Sequence, residues 1–164
     1  AYEIKECDWS SDVCSSDLID ALVNNCGIYA EGRFADADPE GISKLLDVNA
    51  KAPMLLTRYL LGQLKEGSNS LVINMSSIQA IAKDASLAAY AASKAAVSAF
   101  SEALRKELNP MGIRVTCLEP SGVNTWGEQN PVRLLAPADV ANVIRSILAM
   151  APSVQINTIV LEGL

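Results

Sequence analysis

Four short apolar runs separated by long helical patterns constrain this chain more than any other feature of it. They are IDALVNN (19–25), LVINMSS (71–77), IRVTCLEP (113–120) and VQINTIVL (154–161). A continuous apolar run bounded by turn residues reads as a strand buried on both faces, and such strands belong to parallel sheets whose crossovers cover both sides. The intervening segments carry helix signals. Asp38-Pro39-Glu40 offers an N-cap followed by proline at the first helical position, predicting a helix that runs to about Lys65 before Gly67 ends it. A second helix is expected from about Ser86 to Leu108, where Asn109-Pro110 stops it, and a third opens at Ala136-Pro137-Ala138-Asp139 and ends near Pro152. Strand, helix, strand, helix at this spacing implies right-handed crossovers. The expected class is α/β: a doubly wound parallel sheet of about four strands with helices on both faces.

Composition narrows the chemistry. The 164 residues include no His, which removes the Ser-His-Asp triad, the Cys-His nucleophile pair and His-ligated metal sites. A net charge of -6 opposes electrostatic nucleic-acid binding, because phosphate contacts need clustered Lys and Arg. No apolar run approaches a membrane span. Four Cys without a CxxC pair fit a reducing compartment, and a cytoplasmic location is expected. No metal site is expected either.

The first eighteen residues read differently from the rest. Asp8 to Leu18 (DWSSDVCSSDL) has neither helical nor strand periodicity and matches one reading frame of a common short-read sequencing adapter. The opening AYEI matches the adapter's flow-cell end in the same frame. Residues 1–18 are therefore expected to be a non-native segment, with genuine sequence from about Ile19. That segment holds five acids (Glu3, Glu6, Asp8, Asp12, Asp17) and Lys5, a net -4, which leaves -2 of the total -6 for the remainder. Cys26 and Cys117 are then the remaining thiols, and each reads as a small buried hydrophobe.

In sheets of this class ligands sit outside the carboxyl ends of the strands. Three strands end in small polar sequences: Asn24-Asn25-Cys26-Gly27, Ser76-Ser77, and Pro120-Ser121-Gly122-Val123-Asn124-Thr125. Singly, each is an ordinary turn; on one edge they suggest a cleft floor. Within the second helix Tyr90 and Lys94 stand four apart, hence on one face. A phenol is a poor acid-base group at neutrality, and a neighbouring ammonium favours its phenolate, which lets Tyr work without His. The spacing alone also suits an ordinary surface pair, but Ser77 ends the preceding strand close enough to bring its hydroxyl beside the phenol. Asn49 lies inside the first helix, and Pro53, having no N–H, leaves the Asn49 carbonyl without its helical donor.

Together NNCG after a strand, Asn49, Ser77, the Tyr90-Ala91-Ala92-Ser93-Lys94 motif and PSGVNT resemble the short-chain dehydrogenase/reductase family, in order and spacing, over 19–164. The resemblance implies a partial Rossmann-like domain in which Tyr90 is the proton donor or acceptor at the substrate oxygen. Lys94 would lower its pKa and contact the nicotinamide ribose, Ser77 would bind the substrate oxygen, and the Asn49 carbonyl would link Lys94 to a proton relay through a water. Asn24, Cys26 and Gly27 would line the adenosine ribose side of the cofactor, NAD or NADP, and Val123 and Thr125 its carboxamide. The implied reaction is hydride transfer between the nicotinamide and a small carbonyl or secondary alcohol.

Three departures stand out: Cys26 where the family usually has Ala, Ser121 in place of Gly after Pro120, and no first βαβ unit with its Gly-rich turn. The chain as given is therefore expected to be incomplete and weakly active or inactive. A non-catalytic Rossmann-like binding protein is the alternative. Trp126 to Ala136 would form a substrate lid, and PSVQINTIVLEGL is similar to the ends of members acting on small hydroxy acids or serine. Ala88, Ala92, Ala95, Ala99 and Ala103 form a stripe of small side chains that suits helix pairing, and the family pattern implies a homodimer or homotetramer.

Overall fold

A computed structural model of the chain describes residues 18–125, 127 and 134–164. The segment expected to be non-native, apart from Leu18, and most of the expected lid, Trp126 included, lie outside the described residues.

Four parallel strands form one sheet in the order β1-β2-β3-β4: β1 (Ala21–Asn24), β2 (Leu71–Met75), β3 (Arg114–Pro120) and β4 (Thr158–Leu161). One row crosses it through Asn24, Asn74, Cys117 and Thr158. The two central strands are buried throughout, as their unbroken apolar runs require. β4 begins later than the apolar pattern suggests. Ahead of it the Gln155 side-chain amide bridges to β3, its Oε1 accepting from the Val115 N–H at 3.2 Å and its Nε2 donating to the Val115 carbonyl at 2.7 Å. A side chain thus replaces the ladder there.

The first helical segment starts where its signals place it. Asp38 caps α1 (Pro39–Leu46), its carboxylate accepting from the N–H groups of Glu40 and Gly41. It does not continue as one helix to Lys65. A π-helical turn occupies Asp47–Lys51, α2 follows (Ala52–Tyr59), and α3 (Leu61–Glu66) restarts after a break at Leu60. The short α4 (Gln79–Ala82) leads into α5 (Ala88–Leu108), which ends in the single turn Asn109–Met111. α6 spans Pro137–Leu148. No helix among the described residues is long and apolar enough to cross a membrane.

Helices cover both faces of the sheet. On one, Leu22, Val72 and Val115 pack with Leu64 of α3 and Leu108 of α5; on the other, Leu71, Ile73 and Leu118 pack with Val140 and Ile147 of α6. Each fully buried aliphatic side chain contributes about 1.5–3 kcal/mol.

The α5 face also carries a polar row. Asn24 Nδ2 donates to Asn74 Oδ1 at 2.7 Å and to Thr57 Oγ1 at 3.1 Å, and Asn74 Nδ2 donates to Ser101 Oγ at 2.9 Å. All four residues are buried and mutually satisfied, so the row ties β1, β2, α2 and α5 at fixed positions. Asn74→Ala strands the Asn24 amide and opens a small cavity. Chemical denaturation should show a loss of about 3 kcal/mol.

Candidate active site

Parallel pairing brings the ends of β1, β2 and β3 to one edge of the sheet. The loop after β1 is fixed there by Asn49, which is 1% exposed within the π-helical turn. Pro53 cannot supply the N–H that an α-helix would send to the Asn49 carbonyl, and the backbone widens so that the Ala52 N–H reaches back five residues to the Asp47 carbonyl. The turn aims the Asn49 side chain inward. Its Oδ1 accepts from the Ile28 N–H at 2.8 Å, and its Nδ2 donates to the Ile28 carbonyl at 2.9 Å and to Ser93 Oγ at 3.0 Å. Ser93 in turn donates to the Tyr90 carbonyl at 2.7 Å. Asn49 therefore couples the NNCG loop to the helical turn that carries Tyr90.

Tyr90 and Lys94 lie one turn apart on α5. Lys94 is 6% exposed and its Nζ donates to the Met75 carbonyl at 2.9 Å, 5.8 Å from the Tyr90 ring centroid. Burial pushes the lysine down to about 8, with a small opposing pull from the Cys117 thiol. Burial pushes the Tyr90 phenol up, and the Ser77 hydroxyl, which favours the phenolate, only partly offsets this. The expected lowering of the Tyr90 pKa by Lys94 is thus not found. Desolvation dominates, and the ammonium is tied to a carbonyl against the ring.

Two cavities meet at Tyr90. The larger, about 700 Å³, is lined by Asn25, Gly27, Lys94, Val123 and Thr125, with Arg145 of α6 on its far wall. The smaller, about 410 Å³, is lined by Ser77, Gln79, Leu87, Ser121 and Leu134. Tyr29 borders both and sets its ring against that of Tyr90, 5.0 Å between centroids at 70°.

The structure brings Tyr90, Lys94, Ser77, Gly27, Val123 and Thr125 together. It does not bring Asn24 into the cleft: strand alternation puts its side chain on the Leu22 face, in the buried polar row, and Asn25 lines the cleft instead. Cys26 is exposed rather than buried and does not line either cavity. The Ser121 hydroxyl is engaged by the Gly163 N–H at 3.3 Å. Among the described residues no group of three metal-ligating side chains occurs.

A family model for short chain dehydrogenases matches residues 13–132. The chain belongs to the short-chain dehydrogenase family. An uncharacterized oxidoreductase of Staphylococcus saprophyticus is 30% identical over 148 residues, covering 86% of this chain and 62% of that one. A cyclopentanol dehydrogenase of Comamonas testosteroni is 33% identical over 113 residues, covering 69% of this chain and 45% of that one. The crystal structure of serine dehydrogenase from Escherichia coli superposes with a TM-score of 0.80 at 31% identity, covering 88% of this chain and 64% of that one. The chain thus spans less than two thirds of the length of these relatives.

For this short-chain dehydrogenase the depressed Lys94 has a measurable sign. Its folded value of about 8 lies below the ordinary 10.5, so the unfolded chain binds more protons between them. The buried ammonium is a cost fully present below about 8 that fades as pH rises toward 10.5. NMR of chain labelled with [ε-13C]lysine should show one resonance, absent in Lys94→Arg, titrating near 8.

Proposed function

We propose that this chain is the catalytic part of an oxidoreductase that transfers a hydride between NAD or NADP and a small carbonyl or secondary alcohol. One observation carries the reading: the half-buried phenol Tyr90 borders both cavities, with Lys94 on the larger and Ser77 on the smaller. Related structures support the cofactor class, a serine dehydrogenase complexed with NADP+ at 30% identity and a 3-oxoacyl-[acyl-carrier protein] reductase with bound NAD at 26%.

The larger cavity fits a nicotinamide nucleotide. Its volume of about 700 Å³ lies within the range of cofactor sites. A Cβ on Gly27 would stand 3.2 Å from Asn49 Oδ1 and 3.4 Å from Lys94 Nζ, so the missing side chain leaves backbone and ammonium open to a ligand. Lys94 and Gly27 would hold the nicotinamide ribose, and Val123 and Thr125 the carboxamide. When bound, the nicotinamide supplies or accepts the hydride.

The protein's own residues handle the proton. With its pKa raised, Tyr90 is a neutral phenol at pH 7 and gives its proton to the substrate oxygen during reduction. Ser77 donates a hydrogen bond to that oxygen. Apolar walls from Ile78, Leu87 and Leu134 keep water away and suit a compact substrate. Alcohol oxidation needs the phenolate, so carbonyl reduction is favoured at neutral pH and oxidation gains as pH rises. Tyr90→Phe in the full-length protein should cut kcat by about 10²–10⁴-fold with an unchanged melting curve. A fully active variant would contradict the role of Tyr90, whereas no turnover in the parent protein would favour the binding-protein alternative.

The stripe on α5 supports self-association. Ala88, Ala92, Ala99 and Ala103 are exposed, and only Ala95 is half-buried, so packing within the chain does not consume it. Light scattering on the full-length protein should give a dimer or tetramer; a monomer contradicts this.

A further inference from the structure

Glu119 is an acid where its strand has no evident use for one. It sits on β3, 3% exposed, facing α5, and among the described residues it has no cation within ion-pair distance. Burying an acid is costly when an aliphatic side chain would pack as well. Its Oε1 instead accepts a 2.5 Å hydrogen bond from Ser98 Oγ. Ser98 Oγ lies 2.8 Å from Ser76 Oγ and 3.3 Å from the Lys94 carbonyl, and Ser76 Oγ donates to that same carbonyl at 2.8 Å.

These contacts converge on one residue. Lys94 is held at both ends by neighbours on β2's exit: its carbonyl by the Ser76 hydroxyl, its ammonium by the Met75 carbonyl. Ser77, next in the chain, faces the Tyr90 phenol. We propose that Ser76, Ser98 and Glu119 are positioning residues that grip the Lys94 turn of α5 from beneath the cleft and so set the Ser77, Tyr90 and Lys94 geometry. The proposal rests on the reading of Lys94 as the working cation of the site. Without the grip, the end of β2 and the Lys94 turn can part, and the ammonium swings from the Met75 carbonyl into the open cleft.

The lysine reports its own position. The titratable or charged groups around it are Tyr90 on α5, Cys117 on β3 and Arg145 of α6 across the cleft, with Glu119 of β3 beyond them against Cys117 and Ser98. Replacing an acid by a neutral residue can by electrostatics only lower a nearby lysine's midpoint, whereas loosening the grip raises it by letting in water. The two effects have opposite signs.

The test is the [ε-13C]lysine titration on the chain and its variants. In Ser98→Ala and Glu119→Ala the Lys94 midpoint should rise from about 8 to above about 9, a tenfold change in the ammonium-to-amine ratio. Glu119→Gln, which keeps an acceptor for Ser98, should show no such rise. If Ser98→Ala does not fold, Ser98→Cys, close in volume and a weak donor, is read in the same way. A midpoint that stays near 8 in the folded Ser98 variant, or that rises in Glu119→Gln as far as in Glu119→Ala, overturns the proposal. An active Tyr90→Phe would sink the functional reading while leaving these midpoints untouched, so the two failures are separable.

Discussion

A lysine that is almost wholly buried must give its ammonium a partner, and Lys94 finds it in the carbonyl of Met75. That bond requires β2 to end just there, beneath the second turn of α5, and it needs the Ser76 hydroxyl to take the carbonyl at the other end of the same residue. The arrangement keeps a positive charge at the floor of the cleft while exposing little of it to water. Desolvation then does two things at once: it lowers Lys94 to about 8 and raises Tyr90, leaving a neutral phenol above an ammonium that is still mostly charged at neutral pH.

The sheet is built to hold that geometry still. Asn24, Asn74, Thr57 and Ser101 lock β1 and β2 to α2 and α5 on the same face from which Lys94 projects. Asn49, turned inward by the π-helical turn that Pro53 imposes, locks the loop after β1 to the Tyr90 turn. Polar networks of this kind, fully satisfied, specify one arrangement where apolar packing alone tolerates several. Removing water from a site pays off only if the reacting groups stay put.

Much of this was legible in the chain. The apolar runs marked β2 and β3 closely, Asp38-Pro39 marked the start of α1, and the spacing of Tyr90 and Lys94 placed both on one face of α5. Pro53 pointed to a break in helical bonding but not to its form, because a π-helical turn depends on how neighbouring turns relax. The NNCG motif places Asn24 with Asn25 in the cleft, whereas strand alternation from Leu22 turns its side chain inward, and the alternation holds. The late start of β4 was not legible, since nothing in local pattern says that Gln155 will satisfy Val115 with its side chain. Nor was the sign of the Tyr90 shift, which depends on how far burial outweighs Ser77, a quantity only tertiary structure fixes.

The central claim is that this site transfers a hydride while Tyr90 manages the proton. The most direct measurement follows the label on carbon: full-length protein is incubated with NAD or NADP and a secondary alcohol deuterated at its carbinol carbon. The account predicts that the deuterium is recovered on the nicotinamide ring, while the hydroxyl proton goes to solvent. Deuterium lost to solvent, or no oxidation of any secondary alcohol tried at alkaline pH, would contradict it.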